Sequence, residues 1–456
     1  MLKYTHEDIK AALGGAFSFS GSAPKDPMGV TTDTRKLNEG DLFVGIRGGD
    51  TPEVAVKAAD AKAAACILSC DAPSGVPCYR VVDTIKALQD LAAYQRARLQ
   101  IPMIGVTGSC GKTTTKNMLG SILGTLGETL VTEGNLNNEI GLPLTLLRLG
   151  KEHRTAVVEM GMNHKGEILA LSRLARPDAA VITNIGSAHI EFLGSRENIA
   201  LAKAEIFRGL PPCGKVALPI ESDFFAKLSE MAGMLGLSVI SFGKGGDFEF
   251  RSEGKNEAGL KGTLFTPMGK IELNVPVIGA YNASNIAGAA AGACALTEEI
   301  GLENLSVGLQ NVRGEKLRNE LHEYKGACVI LDCYNANPDS LSASLNMLKD
   351  LKAKGRKAAF LGDMLEIGDK AKSAHFEIGK EAAQFLDALF IIGENASYYL
   401  AGAKEANSEC EVIVCSESDA AESVRNYLKE GDTILFKGSR ANKLENYFYE
   451  IEKKND

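Results

Sequence analysis

The stretch IGVTGSCGKTTT at residues 104–115 constrains the fold of this chain more than any other. Apolar or small residues from Ile101 to Ile104, broken by Pro102, lead into a glycine-rich turn. The turn ends in Gly111, Lys112 and Thr113, and a helix-like segment follows. Glycines let backbone amides approach an anion closely, and the N-terminus of a following helix adds its positive dipole. Lys112 can reach the outer phosphates of a nucleotide, and the Thr113 hydroxyl can sit on Mg²⁺. The strict form GxxxxGK[ST] is not met, because Val106 stands at its first glycine. Gly108 lies nearer and gives TGSCGKTT. The alternative is a strand–turn–helix corner that happens to contain GKT. The strand before and the helix after are the context a phosphate cradle needs, which favours the cradle.

At 456 residues the chain is longer than one core usually supports, so two or three domains are expected. Hydrophobic residues at 45% and charged residues at 24% place it among ordinary globular proteins. The net charge of −8 and the lack of a basic tract leave no electrostatic footprint for nucleic acid or a membrane surface. No apolar run is long enough to span a bilayer, and MLKYTHEDIK at the start does not read as a signal peptide. The ten cysteines form no CxxC pair and no zinc-like grouping with His. Close pairs such as Cys66/Cys70, Cys328/Cys333 and Cys410/Cys415 read as small buried hydrophobes in a reducing cytosol. Cys110 reads as a spacer in the phosphate loop rather than a nucleophile.

Apolar runs divide the chain into three α/β segments with boundaries at 1–98, 99–313 and 314–456. GDLFVGI (40–46) predicts a strand, VAVKAADAKAAACILS (54–69) a helix feeding a strand, and Ile85–Gln100 a helix. TAVVEMG (155–161), AAVITNIG (179–186) and KVALP (215–219) suit strands of a buried parallel sheet, with ENIALAKAEIFRGL (197–210) helical. Between 247 and 278 the alternation suits antiparallel hairpins, and YNASNIAGAAAGACALT (281–297) is a helix of small residues. In the last segment, strands at 327–334, 357–363, 388–393, 411–415 and 432–438 alternate with helices. That alternation implies parallel β-α-β units in a doubly wound, Rossmann-like sheet. Ligands collect at the carboxyl ends of such strands, where Glu159, Asn184 and His189 fall and could join Thr113 around Mg²⁺.

Taken together, TGSCGKTT (107–114), VVEMG (157–161), TNIGSAHIEFLGS (183–195), AKAEI (202–206) and GAYNASNIAGA (279–289) resemble the Mur ligase family over almost the whole chain. These are ATP-dependent amide ligases of bacterial cell-wall synthesis. NLNNEIGLPLT (135–145), DCYNANPDS (332–340), GDMLEIG (362–368) and KGSR (437–440) resemble the member that joins D-alanyl-D-alanine to UDP-N-acetylmuramoyl-tripeptide. No DNPR-type string of the preceding ligase is present. The resemblance implies a central P-loop ATPase domain, an N-terminal α/β domain for the UDP substrate and a C-terminal domain for D-alanyl-D-alanine.

It also implies residue roles. Gly108, Ser109, Cys110, Gly111, Lys112, Thr113 and Thr114 bind ATP phosphates. Thr113 and Glu159 hold one Mg²⁺, His189 binds a second metal, and Lys203 matches a lysine that is carbamylated in these ligases. Asn282 and Asn285 read the adenine edge, although Tyr281 stands where the family usually has His. Arg318 and Asp332 reach the nucleotide from the C-terminal domain. Asp33, Thr34 and Arg35 match the string at the UDP end. GGDTPEVAV (48–56) replaces the aromatic-and-His stretch that tends to follow. Asn137 and Asn138 face the muramoyl-peptide, and Asn335, Asn337 and Asp339 form the dipeptide pocket. Turn chemistry and helix capping are the competing reading of these Asn-rich loops.

The implied reaction activates the substrate carboxylate as an acyl phosphate, which the dipeptide amine then attacks. A cytoplasmic monomer is expected, acting on small molecules, with hinge motion near 311–316. A related ligase of other amino-acid specificity, including a folylpolyglutamate-type ligase, is the alternative enzyme. A P-loop switch or binding module is the alternative of another class.

Overall fold

The computed structural model describes residues 4–21, 26–256, 259–406 and 409–453, so the first three residues of MLKYTHEDIK lie outside it. The N-terminal unit comprises α1 (His6–Leu13), β1 (Phe17–Ser20), β2 (Val30–Thr31), β3 (Leu42–Val44), α2 (Pro52–Asp60), β4 (Ala65–Leu68), β5 (Cys78–Val81) and α3 (Thr84–Arg98). Its helices start where the sequence supplies caps. Thr51 accepts from the Val54 amide with Pro52 in the first turn, and Asp83 accepts from Ile85 and Lys86. Its sheet runs β1-β5-β4-β3-β2.

The central unit carries β6 (Met103–Thr107), α4 (Lys112–Leu123), β7 (Thr129–Val131), α5 (Gly141–Leu147), β8 (Thr155–Glu159), α6 (Glu167–Ala175), β9 (Ala179–Ile182), α7 (Ile190–Leu193), α8 (Arg196–Ala204), β10 (Lys215–Pro219), α9 (Phe225–Met234) and β11 (Ser238–Phe242). These strands form a parallel sheet in the order β11-β10-β9-β6-β8-β7. β6, β8 and β9 are buried along their full length, as continuous apolar runs require. The phosphate-loop strand β6 sits between β8 and β9, at the point where the strand order reverses. An antiparallel sheet of β12 (Glu249–Asn256), β13 (Gly259–Thr266) and β14 (Gly269–Val275) follows. α10 (Asn282–Leu296) and α11 (Leu302–Gln310) close the unit.

The C-terminal unit is β15 (Glu320–Tyr324), β16 (Ala327–Leu331), α12 (Pro338–Asp350), β17 (Lys357–Leu361), α13 (Ala371–Ala383), β18 (Ala388–Ile391), α14 (Ala396–Glu405), β19 (Glu411–Val414), α15 (Ala420–Tyr427), β20 (Thr433–Lys437) and α16 (Glu445–Lys453). Its sheet order is β15-β16-β20-β17-β18-β19. Two edge strands depart from the all-parallel expectation. β1 pairs antiparallel with β5, and β15 pairs antiparallel with β16. The second pairing turns through Lys325 and Gly326, both at positive φ, which suits a two-residue hairpin.

The apolar core does not break at 98/99. One cluster runs from Tyr4, Leu42 and Leu88 to Met103, Val158 and Leu218, joining the first unit to one face of the central sheet. The opposite face packs on Met118, Ile286, Ala290 and Leu305 of α4, α10 and α11. The C-terminal sheet has its own cluster on each face.

Candidate active site

At the carboxyl end of β6 the chain turns through Gly108 and Gly111, at φ +155° and +77°. A Cβ on Gly108 would overlap the Thr183 hydroxyl, and one on Gly111 would overlap the Asn285 carboxamide. Both positions therefore need glycine. Asn184 braces the turn: its Oδ1 accepts from the Ser109 and Cys110 amides at 3.1 and 2.8 Å. Among the described residues no side chain caps α4, which starts at Lys112 behind Gly111. Its first residues, Lys112, Thr113 and Thr114, line a cleft of about 640 Å³. An uncapped helix N-terminus behind a glycine turn is an anion site.

Ser109 to Thr114 line the cleft, while Gly108 lies behind them. Lys112 Nζ donates to the Gly108 carbonyl at 2.8 Å, and burial pushes its amine below the usual lysine range. The Thr113 hydroxyl donates to Glu159 Oε2 at 2.9 Å, and Asn137 Nδ2 donates to Oε1 at 2.8 Å. Glu159 is 2% exposed, at the very end of β8. These adjacent oxygens fit Mg²⁺, which takes one or two protein oxygens and leaves its other positions to phosphate and water. Among the described residues, no three His, Cys, Asp or Glu cluster closely enough to cage a metal.

Lys203, in the last turn of α8, is 1% exposed and lines the same cleft. Burial, and then Lys112, drive its amine well below the ordinary value. An ammonium does not ligate a cation, whereas an amine held neutral is open to carbamylation. The predicted helix 197–210 ends early. α8 stops at Ala204 and continues as a 3₁₀ turn, and Glu205 accepts from the Gly166 and Leu169 amides at the start of α6.

The adenine-edge pair divides. Asn285 lines the cleft, but Asn282 is buried behind it. Asn282 donates to the Ile278 carbonyl at 2.7 Å and accepts from Asn285 Nδ2 at 2.7 Å, so it orients its neighbour. The adjacent asparagines of NLNNEIG also divide. Asn137 holds Glu159, whereas Asn138 accepts from the Ile140 and Gly141 amides and starts α5.

The far wall of the cleft belongs to the C-terminal unit. Arg318 stacks on Tyr334 at 4.2 Å, and its Nε is buried without a partner among the described residues. Asp332 accepts from Lys437 at 2.6 Å and from Ser344 at 2.7 Å. Lys437 also donates to the Asn335 carbonyl, which fixes the loop after β16. Asn337 caps α12 by accepting from the Ser340 amide, and its side chain meets Cys110 Sγ at 3.6 Å. Asp339 accepts from Ser187, and His189 Nδ1 stands 3.0 Å from Glu366, off the line of a straight hydrogen bond. Asp33, Thr34 and Arg35 lie away from this cleft in the N-terminal unit. Arg35 forks onto Asp33, holding that carboxyl well below its usual range.

Lys437, Ser344, Tyr334, Ser187 and Glu366 received no role from sequence reasoning. KGSR and GDMLEIG stand apart in sequence, and the fold brings them against DCYNANPDS and TNIGSAH, Lys437 on Asp332 and Glu366 beside His189.

A profile of the Mur ligase middle domain matches residues 106–293, and one of the Mur ligase, glutamate ligase domain matches residues 317–440. The UDP-N-acetylmuramoyl-tripeptide–D-alanyl-D-alanine ligase of Bacillus subtilis is 37% identical, over 98% of this chain and 97% of that protein. The crystal structure of MurF from Acinetobacter baumannii superposes with a TM-score of 0.90, at 32% identity and 99% coverage of both chains. MurF from Thermotoga maritima, solved in complex with ADP, superposes with a TM-score of 0.79 at 27% identity, over 93% of this chain and 98% of that one. The likeness spans the full length in sequence and in fold, and both profiles fall on the units that build the cleft, so the chain belongs to the Mur ligase family.

Proposed function

We propose that this protein is an ATP-dependent ligase that joins D-alanyl-D-alanine to UDP-N-acetylmuramoyl-tripeptide, a step of peptidoglycan precursor synthesis. The observation that carries the reading is the uncapped start of α4, which opens into a cleft whose far wall is Arg318, Asp332 and the 335–340 loop. A nucleotide bound there presents its γ-phosphate to substrates held by the flanking units. Residues 1–98, with Asp33, Thr34 and Arg35, hold the UDP end. Residues 99–313 hold ATP, and residues 314–456 hold the dipeptide through Asn335 and Asn337. One chain completes the cleft, which agrees with a working monomer, and both nucleotides belong to the cytoplasm.

In the first step the tripeptide carboxylate attacks the γ-phosphorus and ADP leaves, giving an acyl phosphate. In the second, the dipeptide amine attacks the carbonyl and inorganic phosphate departs. Two anions must meet in the first step, so opposing positive charge is the main need. Lys112, the α4 amides and the unpaired edge of Arg318 supply it. A Mg²⁺ held by Thr113 and Glu159 would add charge neutralisation on the phosphates. His189 and Lys203, the latter as a carbamate, are the groups proposed for a second metal.

ADP release in the presence of UDP-N-acetylmuramoyl-tripeptide tests this reading. It should require D-alanyl-D-alanine and fail with glutamate or diaminopimelate as acceptor. Comparing lysine- and diaminopimelate-containing tripeptides settles the third residue. Turnover that ignores the acceptor would point to a nucleotide switch instead.

A further inference from the structure

Several contacts converge on one short segment of the central unit, residues 184–191, which runs from the turn after β9 into the start of α7. Asp339, in the first turn of α12, offers Oδ2 to both donors of Ser187, the amide at 2.6 Å and the hydroxyl at 2.8 Å. Glu366, in the loop after β17, stands beside His189. In the same loop, a Cβ on Gly368 would lie 3.0 Å from the Glu191 side chain. On the other side, Ser109 of the phosphate loop accepts from the Gly186 amide at 2.9 Å. A Cβ on Gly186 would press into Asp339 Oδ2 at 2.5 Å. His189 itself has φ +63°. A non-glycine residue keeps that backbone only where its surroundings over-determine it.

We infer that Asp339 is a positioning residue, which clasps Ser187 across the domain boundary and so fixes the turn that carries His189, and that it is not a ligand of the incoming dipeptide. Among the described residues, both hydrogen bonds of its carboxylate end on Ser187. Charge-assisted bonds of this length are the strong ones, and the pair holds Oδ2 on Ser187. The chemistry agrees, because a carboxylate beside the dipeptide amine would favour its protonated form, which is no nucleophile. Outer contacts of this kind commonly orient the groups that touch the reacting atoms.

The catalytic consequence rests on the ligase reading, but the clasp does not, so the test has two arms. The first is steady-state ligation by Asp339→Ala, Ser187→Ala, their double variant and Asp339→Asn. The clasp predicts a fall in kcat of about tenfold or more for Asp339→Ala. The dipeptide KM should stay within about twofold, and the double variant should be no worse than Asp339→Ala alone. Asp339→Asn, which keeps an acceptor without the charge, should recover part of the rate. The second arm is hydrogen exchange at the Ser187 amide, which should speed up in Asp339→Ala at unchanged melting temperature. If the wild type ligates nothing, the ligase reading fails while this arm still decides the clasp. A dipeptide KM raised tenfold by both Asp339→Ala and Asp339→Asn, with Ser187→Ala silent and exchange unchanged, would overturn the inference.

Discussion

Lys112 and Lys203 are two amines buried in one cleft, and each depends on what else the cleft holds. Burial lowers both, Glu159 partly restores Lys112, and Lys112 lowers Lys203 further. Phosphates entering at α4 would favour the charged form of Lys112 and oppose the effect of burial. Lys112→Ala should therefore cut ligation by about 10²–10³-fold, the usual cost of one preorganised charge or donor. A rate within about threefold of wild type would remove Lys112 from the phosphate site. Lys203→Ala should also lose activity, and bicarbonate should not restore it, whereas formate or acetate should do so in part. An unmodified Lys203 amine in the nucleotide-bound protein, read by mass or density, would contradict the carbamate. At this scale the glycine turn, Lys112, Thr113 and Glu159 were legible, because a phosphate loop uses local sequence. The split between Asn137 and Asn138 was not. An irregular loop has no period that fixes which side chain turns inward, and only tertiary packing decides which asparagine meets Glu159.

The loop after β17 shows how an element is held in place by a residue far from the chemistry. His375 is fully buried in α13. Its Nε2 accepts from the Met364 amide at 3.0 Å, Nδ1 bonds the Ala371 carbonyl, and the ring meets Tyr399 edge-on at 4.8 Å. His375→Ala should destabilise by about 2–4 kcal/mol, from a stranded amide and a cavity. Chemical denaturation measures this. Burial lowers the His375 pKa below its ordinary 6.5. As pH falls from that value, the unfolded chain takes a proton that the folded one refuses, so stability drops toward the lower folded pKa. His375→Gln should flatten this part of the pH profile, and an unchanged slope between pH 7 and 5 would rule out the buried neutral ring. Strands such as TAVVE and KAAFL were readable as apolar runs. FSFS and ELHEY were not, because four or five residues hold too few apolar positions to set a period.

Across the whole molecule, the C-terminal unit touches the central one at both ends of the cleft. Asp339 and Glu366 meet the 184–191 segment at one end. At the other, Lys116 and Asn117 of α4 bond Glu315 in the linker, and Ile278 packs into the C-terminal core. Three domains were legible from the alternation of strands and helices, but these pairings join residues 150 to 200 positions apart and leave no periodic trace. Reacting atoms must come within about 3–3.5 Å, which substrates on separate domains reach only when those domains dock. The contacts at both ends of the cleft are those of the docked arrangement, so nucleotide with tripeptide should populate it more fully and shrink the average radius of gyration seen by small-angle scattering. An unchanged radius in a saturated complex would refute hinge closure near 311–316. The central claim is that the cleft transfers the γ-phosphoryl group to a peptide carboxylate before the amide forms. Tripeptide labelled with ¹⁸O in its terminal carboxylate tests it most directly. The account predicts one labelled oxygen in each inorganic phosphate released during D-alanyl-D-alanine-dependent turnover, and phosphate free of label would contradict it.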